Sequence, residues 1–192
     1  MGLRYMHKLI QGDILYHASY TEIKEISLAK CSKGKDFGHG FYLTSDFEQA
    51  QDFVKSSVAR AKVGKLIGEN HDYGYVNVYE ISSLVGINEF DFQEADKNWL
   101  HYVSGNRSRK FFADEVKALE HFNVIGGKIA NDQTATTLNL YIGYGYGEPG
   151  NPETDDFCIK KLLPNRLKDQ YCFKDEASVK ALKFIKSIMV KL

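Results

Sequence analysis

Residues 37–47 read FGHGFYLTSDF, and this stretch joins a glycine turn to the start of a strand. Gly38 and Gly40 bracket a single histidine, although an ordinary turn needs only one glycine. Two glycines this close predict that another group approaches the backbone there. Residues 41–44 are rich in aromatic and β-branched side chains, which predicts a strand on which successive side chains face opposite sides.

The segments around this strand predict an α+β fold. Ser45 or Asp46 is positioned to cap a helix whose apolar residues recur every three or four positions. Residues 14–17 and 170–173 are short apolar runs that predict further strands, and the alternation at 75–81 is the clearest strand pattern in the chain. Because helices and strands do not alternate regularly, the sequence favours α+β over a βαβ architecture.

Three other segments carry predictions about organisation. Asp175 or Ser178 is predicted to cap a C-terminal helix. The inner face of that helix would consist of Val179, Leu182, Ile185, Ile188 and Met189. Residues 123–130 predict a strand interrupted by a tight turn at adjacent glycines. The glycine-rich interval at about 143–153 predicts a mobile loop inside a single domain, residues 1–192, because the C-terminal stretch beyond it is too short to fold alone.

Composition narrows the class of protein. Apolar residues make up 43% of the 192 residues and charged residues 26%, which predicts a globular domain with its own core. Basic and acidic residues are both 25, and this balance disfavours a protein built to neutralise phosphate backbones, although residues 106–110 form a local basic run. The three cysteines lack metal-ligand spacing, so we expect free thiols, no metal and a reducing compartment. Without a signal-peptide core or a long apolar run, we expect no membrane and a cytoplasmic location.

Three motifs occur in an order that resembles a known superfamily. His17 ends the first predicted strand and is followed by Ala18 and Ser19, the glycine turn leads to Tyr42, and a late strand carries Gln170. This order resembles the ADP-ribosyltransferase superfamily, in its His-Tyr-Glu branch of poly(ADP-ribose) polymerases and diphtheria toxin. Within that branch the chain looks most like a bacterial family of small proteins of the DUF3990 type. That likeness rests on an LYHxS start, a specific DFGxGFYLT block, a VNVYE strand and a late DQ-aromatic strand, from Leu15 to Phe184.

The resemblance implies a split β-sandwich that binds NAD between two small sheets and cleaves its bond to nicotinamide. His17 would then contact ribose hydroxyls, the backbone of Ala18 the nicotinamide carboxamide, and the ring of Tyr42 the nicotinamide face. Ser19 would add a hydroxyl contact, and Gln170 would bind the 2′-hydroxyl of the nicotinamide ribose. The implied NAD-binding set also includes Phe37, Gly38, Gly40, Thr44, Arg107 and Asp132. Arg107 would meet the pyrophosphate through a bidentate pair.

Gln170 departs from the glutamate that polymerising members carry. An amide accepts the same hydrogen bond but has no charge and cannot act as a base, which argues against polymer formation. The resemblance therefore implies mono-ADP-ribosylation of a macromolecular acceptor, protein or nucleic acid, by a toxin with a cognate antitoxin. An NAD glycohydrolase and a catalytically silent module that binds NAD or ADP-ribose stay open. Each residue also has a structural interpretation: His17 and Tyr42 as core residues, and Gln170 as a polar residue at a sheet edge.

Overall fold

The computed structural model describes residues 6–129, 132–162 and 168–192, and the strands of this part of the chain form two sheets. They are β1 (Ile14–Ser19), β2 (Phe41–Leu43), β3 (Tyr73–Ile81), β4 (Glu89–Asp91), β5 (Val124–Lys128), β6 (Asp169–Phe173) and β7 (Leu182–Lys191). The first sheet is antiparallel with the order β1-β3-β7. The second has the order β2-β6-β5-β4, in which only β4 and β5 run parallel.

Six α-helices accompany the sheets in the described ranges. They are α1 (Phe47–Val63), α2 (Lys97–Ser108), α3 (Ala113–Ala118), α4 (Asp132–Ile142), α5 (Pro152–Leu162) and α6 (Glu176–Lys180), with a short 3₁₀ helix at Leu28–Lys30. Two largely antiparallel sheets with segregated helices confirm the predicted α+β class. A search of these residues finds no helix with the length and apolarity that crossing a membrane requires.

The core is arranged in layers. On the outer face of the first sheet, α1 packs through Ala50, Val54 and Val58 against Val76 of β3. The space between the two sheets is filled by Leu15, Phe41, Leu43, Tyr79, Ile81, Val124, Tyr171 and Phe173. The opposite face of the second sheet packs on a helical layer, where the buried residues include Ile125 and Cys172 from the sheet and Trp99, Tyr102, Leu138, Tyr141 and Cys158 from helices. The two sheets therefore have helices on both outer faces.

The sheets are joined edge to edge at one bridge. The amide of Tyr16 donates to the carbonyl of Thr44 at 2.9 Å, and the amide of Thr44 donates back at 3.0 Å. Beyond this pair β1 and β2 part, since β1 continues along β3 and β2 along β6. Phe41 lies between the sheets whereas Tyr42 packs against the helical layer, so the predicted opposite facing of the two aromatics is confirmed.

The predicted helix caps are confirmed, but the predicted extent of the C-terminal helix is wrong. Asp46 caps α1 by accepting from the amide of Gln49 at 2.8 Å, as predicted. Asp175 and Ser178 both take part in the capping box of α6. That helix ends at Lys180, however, and β7 replaces the helix predicted through Met189. Its apolar spacing fits a helix, but β7 pairs antiparallel with the whole of β3, and this ladder outweighs local pattern.

Two further predictions concern the glycines of residues 123–130 and the glycine-rich interval at about 143–153. The tight turn expected within 123–130 is wrong, because β5 runs unbroken through both glycines and pairs with β6 at each of them. Phe37 packs directly onto Gly127, which explains the missing side chain there. The glycine-rich interval ends where α5 begins at Pro152, and the amide of Gly150 donates to the hydroxyl of Tyr141 at 3.0 Å. Its mobility stays a prediction.

Candidate functional site

The hydroxyl of Tyr42 closes the glycine turn that precedes β2. It accepts a hydrogen bond from the amide of Phe37 at 2.9 Å and donates one to the carbonyl of Gly38 at 2.8 Å. Gly38 has a φ of +84°, a conformation that costs glycine little, and a Cβ added there would lie 2.8 Å from Oδ1 of Asn106. Burial, with Cys172 and Asp36 nearby, raises the pKa of Tyr42 far above its ordinary value, so the phenol keeps its proton.

The second glycine of the turn, Gly40, has a different structural role, which is to allow a close approach to a neighbouring strand. A Cβ added to Gly40 would overlap Sγ of Cys172 and lie 2.6 Å from the carbonyl oxygen of Phe173. Both residues belong to β6, so the group that approaches the backbone is the chain's own neighbouring strand. One glycine thus permits the turn and the other permits close pairing with β6. Their predicted place beneath a dinucleotide is an additional role that stays a prediction.

His17 lies one residue beyond the bridge that joins the two sheets. Its Nδ1 is 2.7 Å from the carbonyl oxygen of Tyr42, and because a carbonyl only accepts, Nδ1 carries the hydrogen. The imidazole stacks on the ring of Phe41 with a centroid separation of 4.3 Å. Burial lowers the pKa of His17, and the bond to the Tyr42 carbonyl offsets this only in part. The ring is therefore neutral at pH 7, with Nε2 as a hydrogen-bond acceptor.

Tyr42 and Gln170 project from the same face of the second sheet. Tyr42 pairs directly with Cys172 of β6, and Gln170 lies two residues before Cys172, so all three side chains share one side. That side faces the helical layer, whereas the ring of His17 stacks on Phe41 on the other side. The structure thus joins His17 to the backbone of Tyr42, and it brings the side chain of Tyr42 to the same face as Gln170.

Asp36, which the sequence analysis did not select, connects Gln170 to Arg107. Its Oδ2 accepts from Nε2 of Gln170 at 3.0 Å. Its Oδ1 accepts from Nε of Arg107 at 2.7 Å and lies 2.5 Å from the guanidinium Nη2. The available signal was an aspartate placed directly before the Phe-Gly turn, in a segment otherwise rich in aromatic residues and glycine.

A buried asparagine on β3 was also missed. Asn77 pairs with His17 in the first sheet and is fully buried. Its Oδ1 accepts from the amide of Ile23 at 2.9 Å and from Oγ of Ser187 at 2.8 Å, and its Nδ2 donates to the carbonyl of Thr21 at 3.2 Å. These bonds attach the segment after β1 to the sheet beside His17.

The remaining predicted residues occupy mostly structural positions. Ser19 is buried and its Oγ accepts from the amide of Thr21 at 3.2 Å, whereas Ala18 is half-buried. The Oγ1 of Thr44 accepts from the amide of Asp46 at 3.1 Å at the entry to α1. Phe37 is fully buried. Asp132 is the first residue of α4, and its side chain lies outside the described residues.

A groove of about 320 Å³ opens beside the glycine turn. Its described lining includes Gly38, His39, Asn106, Arg109 and Phe111, but not the three predicted catalytic residues. Across the described ranges, histidines, cysteines and acids form no group of three that could hold a metal ion. All three cysteines are free thiols.

The fold and these contacts define an α+β protein whose two sheets meet at the Tyr16–Thr44 bridge. The chain belongs to the family described as protein of unknown function (DUF3990), whose family model matches residues 14–184. The matched range begins with β1 and ends within β7, so it includes both sheets and the glycine turn between them. No curated protein and no solved structure matches the chain.

Proposed function

We propose that this protein is a mono-ADP-ribosyltransferase that uses NAD, with an ADP-ribosyltransferase-like split β-sandwich. The observation that carries the proposal is the position of three residues near the bridge at which the two sheets part: Nδ1 of His17 bonds the backbone carbonyl of Tyr42, and the side chain of Tyr42 shares a sheet face with Gln170. The neutral imidazole has an acceptor at Nε2, and Gln170 has an amide oxygen. These groups suit the hydroxyls of the two NAD riboses.

The proposed reaction breaks the bond between the nicotinamide nitrogen and ribose C1′. The bonding electron pair leaves with nicotinamide, which departs neutral, and positive charge develops on the ribose. A nucleophile of the acceptor then forms the new bond to C1′ and loses its proton to solvent. In this scheme the ring of Tyr42 orients nicotinamide, and the oxygen of Gln170 accepts from the ribose 2′-hydroxyl, so that positioning and electrostatics lower the barrier.

The structure supports some predicted NAD contacts better than others. Within the part of the chain that the structure describes, no hydrogen bond uses Nε2 of His17 or the amide oxygen of Gln170. Arg107 instead binds Asp36 through two nitrogens, so a contact with the pyrophosphate would require it to leave that partner. We therefore propose NAD recognition through the ribose hydroxyls and the nicotinamide, without Arg107.

Gln170 sets the limits of the proposed activity. An uncharged amide does not serve as the base for chain elongation, which supports transfer of a single ADP-ribose. We propose a protein or nucleic acid as the acceptor and the cytoplasm as the location, in keeping with three free thiols. The role as a toxin controlled by an antitoxin belongs to the same proposal and rests on resemblance.

The test is incubation of the purified protein with labelled NAD, with and without cell lysate, while free nicotinamide and labelled macromolecules are followed. We expect label on a lysate component, and a loss of at least about 100-fold in His17→Ala and Tyr42→Ala. His121→Ala, at an exposed histidine, is the matched control and should retain activity. Nicotinamide release without label would indicate the glycohydrolase, and NAD binding without nicotinamide release would indicate the silent module. The proposal would be refuted if the protein neither binds NAD nor releases nicotinamide.

A further inference from the structure

Asp36 connects the glycine turn to the strand that carries Gln170. We infer that Asp36 is a positioning residue that fixes the amide of Gln170 and requires an amide, not a carboxylate, at that position. The catalytic consequence rests on the proposed function, whereas the pairing itself can be tested without it.

The contacts of Asp36 are those of a buried, directional acceptor. Its exposed fraction is 7% and that of Gln170 is 6%, so the bond between them is shielded from water. Oδ2 faces Gln170 at 3.0 Å, and Oδ1 faces Arg107 at 2.7 Å from Nε. The two residues that meet here are 134 positions apart in the chain, so the bond fixes the turn to β6.

This geometry decides which way the Gln170 amide points. A carboxylate accepts hydrogen bonds and donates none, so the amide nitrogen must face Asp36. Rotating the amide by half a turn would place its oxygen against Oδ2, which is repulsive. The amide oxygen is therefore held away from Asp36, as an acceptor for a substrate hydroxyl.

The same geometry explains the glutamine. A glutamate at position 170 would put a second carboxylate about 3 Å from Oδ2, and two carboxylates that close do not both stay ionised. Asp36 and Gln170 are thus a matched pair in which the aspartate selects the amide. On this view Gln170 is an alternative solution to orienting the ribose, and not the mark of a silent binding module.

Arg107 also fixes the orientation of the side chain at position 36. Two of its nitrogens meet Oδ1, so an asparagine at position 36 would keep its oxygen toward Arg107 and turn its nitrogen toward residue 170. In Asp36→Asn the Gln170 amide would then rotate and present its nitrogen to the substrate. In the double variant Asp36→Asn/Gln170→Glu, the asparagine nitrogen would donate to the new carboxylate and restore an acceptor.

The first measurement is thermal unfolding between pH 5 and pH 9. Gln170→Glu should lose about 5 °C in Tm relative to the unmodified protein as pH rises, because the two facing carboxyls must give up their shared proton. Adding Asp36→Asn should remove this pH-dependent loss. Gln49→Glu is the matched control: Gln49 is also 6% exposed but lies on α1, so Asp36→Asn should not rescue it. Equal rescue of both variants, or no loss in Gln170→Glu, overturns the pairing.

The second measurement is kcat/KM for nicotinamide release from NAD by the same variants. Asp36→Asn should reduce it about 10- to 100-fold, the usual effect of losing an orienting partner, and the double variant should recover most of that loss. Unchanged kcat/KM in Asp36→Asn would overturn the positioning role even if unfolding shows the pair. If the unmodified protein releases no nicotinamide, the proposed function fails, and the unfolding series still decides whether Asp36 and Gln170 form the matched pair.

Discussion

Two buried aspartates organise the second sheet and its helical layer, and they do so differently. Asp36 joins the glycine turn to β6 and α2 through Gln170 and Arg107. Asp155, which is 1% exposed, joins α5 to α2 and α4: it accepts from Nε2 of His101 at 2.8 Å and from the hydroxyl of Tyr141 at 2.5 Å. Both carboxyls connect distant segments, as buried acids with several donors commonly do.

The two aspartates differ in whether their hydrogen-bond partners have a group left to bind another molecule. Tyr141 is fully buried and His101 is covered by the ring of Phe112 at a centroid separation of 3.9 Å, so the Asp155 network is enclosed. Gln170, by contrast, donates from its amide nitrogen to Asp36, and its amide oxygen has no hydrogen-bond partner among the residues that the structure describes. A buried acid with many donors is therefore not by itself a functional site, and the unused amide oxygen of Gln170 is the reason why the Asp36 cluster, and not the Asp155 cluster, is part of the proposed site.

The enclosed network also fixes the response of Asp155 to pH. Burial alone would raise its pKa, but hydrogen bonds from Tyr141 and His101 outweigh it and lower the pKa below its ordinary value. A lowered folded-state pKa contributes stability that is present above the unfolded value and is lost as pH falls through the folded value. Asp155 should thus stabilise the protein at neutral pH and cease to do so in acid.

The largest effect is expected from removing Asp155. Asp155→Ala leaves His101 and Tyr141 without their carboxylate acceptor and the amide of Gly150 with only one of its two acceptors, and should lower the free energy of unfolding by about 3 to 5 kcal/mol. Urea unfolding measures this, and Asp156→Ala, at the exposed neighbouring residue, should be close to neutral. On the proposed function, the NAD affinity of the folded fraction should not change. A variant that stays stable but loses NAD binding would contradict the separation of the two clusters.

The sequence predicted those strands and helix caps that depend on the pattern of nearby residues. The strands at 14–17, 41–44, 75–81 and 170–173 and the caps at Asp46 and Asp175 are present, because alternation and capping act within a few residues. The C-terminal helix failed where β3 supplied a long-range partner for β7. Residue types at 182–191 satisfy both periods, and only the ladder decides between them.

The candidate site shows the same limit. His17, Tyr42 and Gln170 were predicted through motif order and their catalytic role stays a prediction, whereas Asp36 was not selected, since its partners lie 71 and 134 positions away. Arg107 was predicted to bind the pyrophosphate of NAD, but its guanidinium binds the carboxylate of Asp36 instead. Contacts of this separation arise from the packing of the turn against α2 and β6, which no local pattern encodes.

Gly40→Ala tests whether the turn that carries Asp36 is held as firmly as the Asp155 network. The new Cβ would overlap Cys172 and the backbone of Phe173, so β2 must shift from β6, and we expect a loss of about 3 kcal/mol in unfolding free energy. Gly68→Ala is the control, because nothing lies within 4 Å of a Cβ there. Equal urea midpoints for the two variants would show that the turn tolerates displacement.

Removing the hydroxyl of Tyr42 should have a smaller effect on the same turn. Tyr42→Phe leaves the amide of Phe37 and the carbonyl of Gly38 without their shared partner, at a cost of about 2 kcal/mol in unfolding free energy. The ring remains, so on the proposed function nicotinamide release should fall less than in Tyr42→Ala. Tyr144→Phe, at an exposed tyrosine, provides the baseline. If Tyr42→Phe and Tyr42→Ala lose nicotinamide release equally, the hydroxyl matters for more than closing the turn.

A third acidic cluster consists of Glu89 and Asp91 on β4. Its expected effect on the free energy of unfolding is the smallest, and its pH dependence has the opposite sign to that of Asp155. Burial and the neighbouring carboxyl of Asp91 raise the pKa of Glu89 from its ordinary 4.5 to about 7, and its bond to the amide of Leu9 offsets this only in part. The folded state therefore holds a proton that the unfolded state releases, so unfolding free energy should fall as pH rises from 4.5 through about 7.

Glu89→Gln keeps the acceptor for Leu9 but removes the titration. After allowance for solvent screening, we expect about 1 kcal/mol less decline in unfolding free energy between pH 5 and pH 8 than in the unmodified protein. Glu94→Gln, at an exposed position, should leave the decline unchanged. The decline that remains in Glu89→Gln should come from Asp91, whose pKa burial also raises. An identical decline in all three proteins would mean that Glu89, unlike Asp155, contributes nothing to the pH response of the fold.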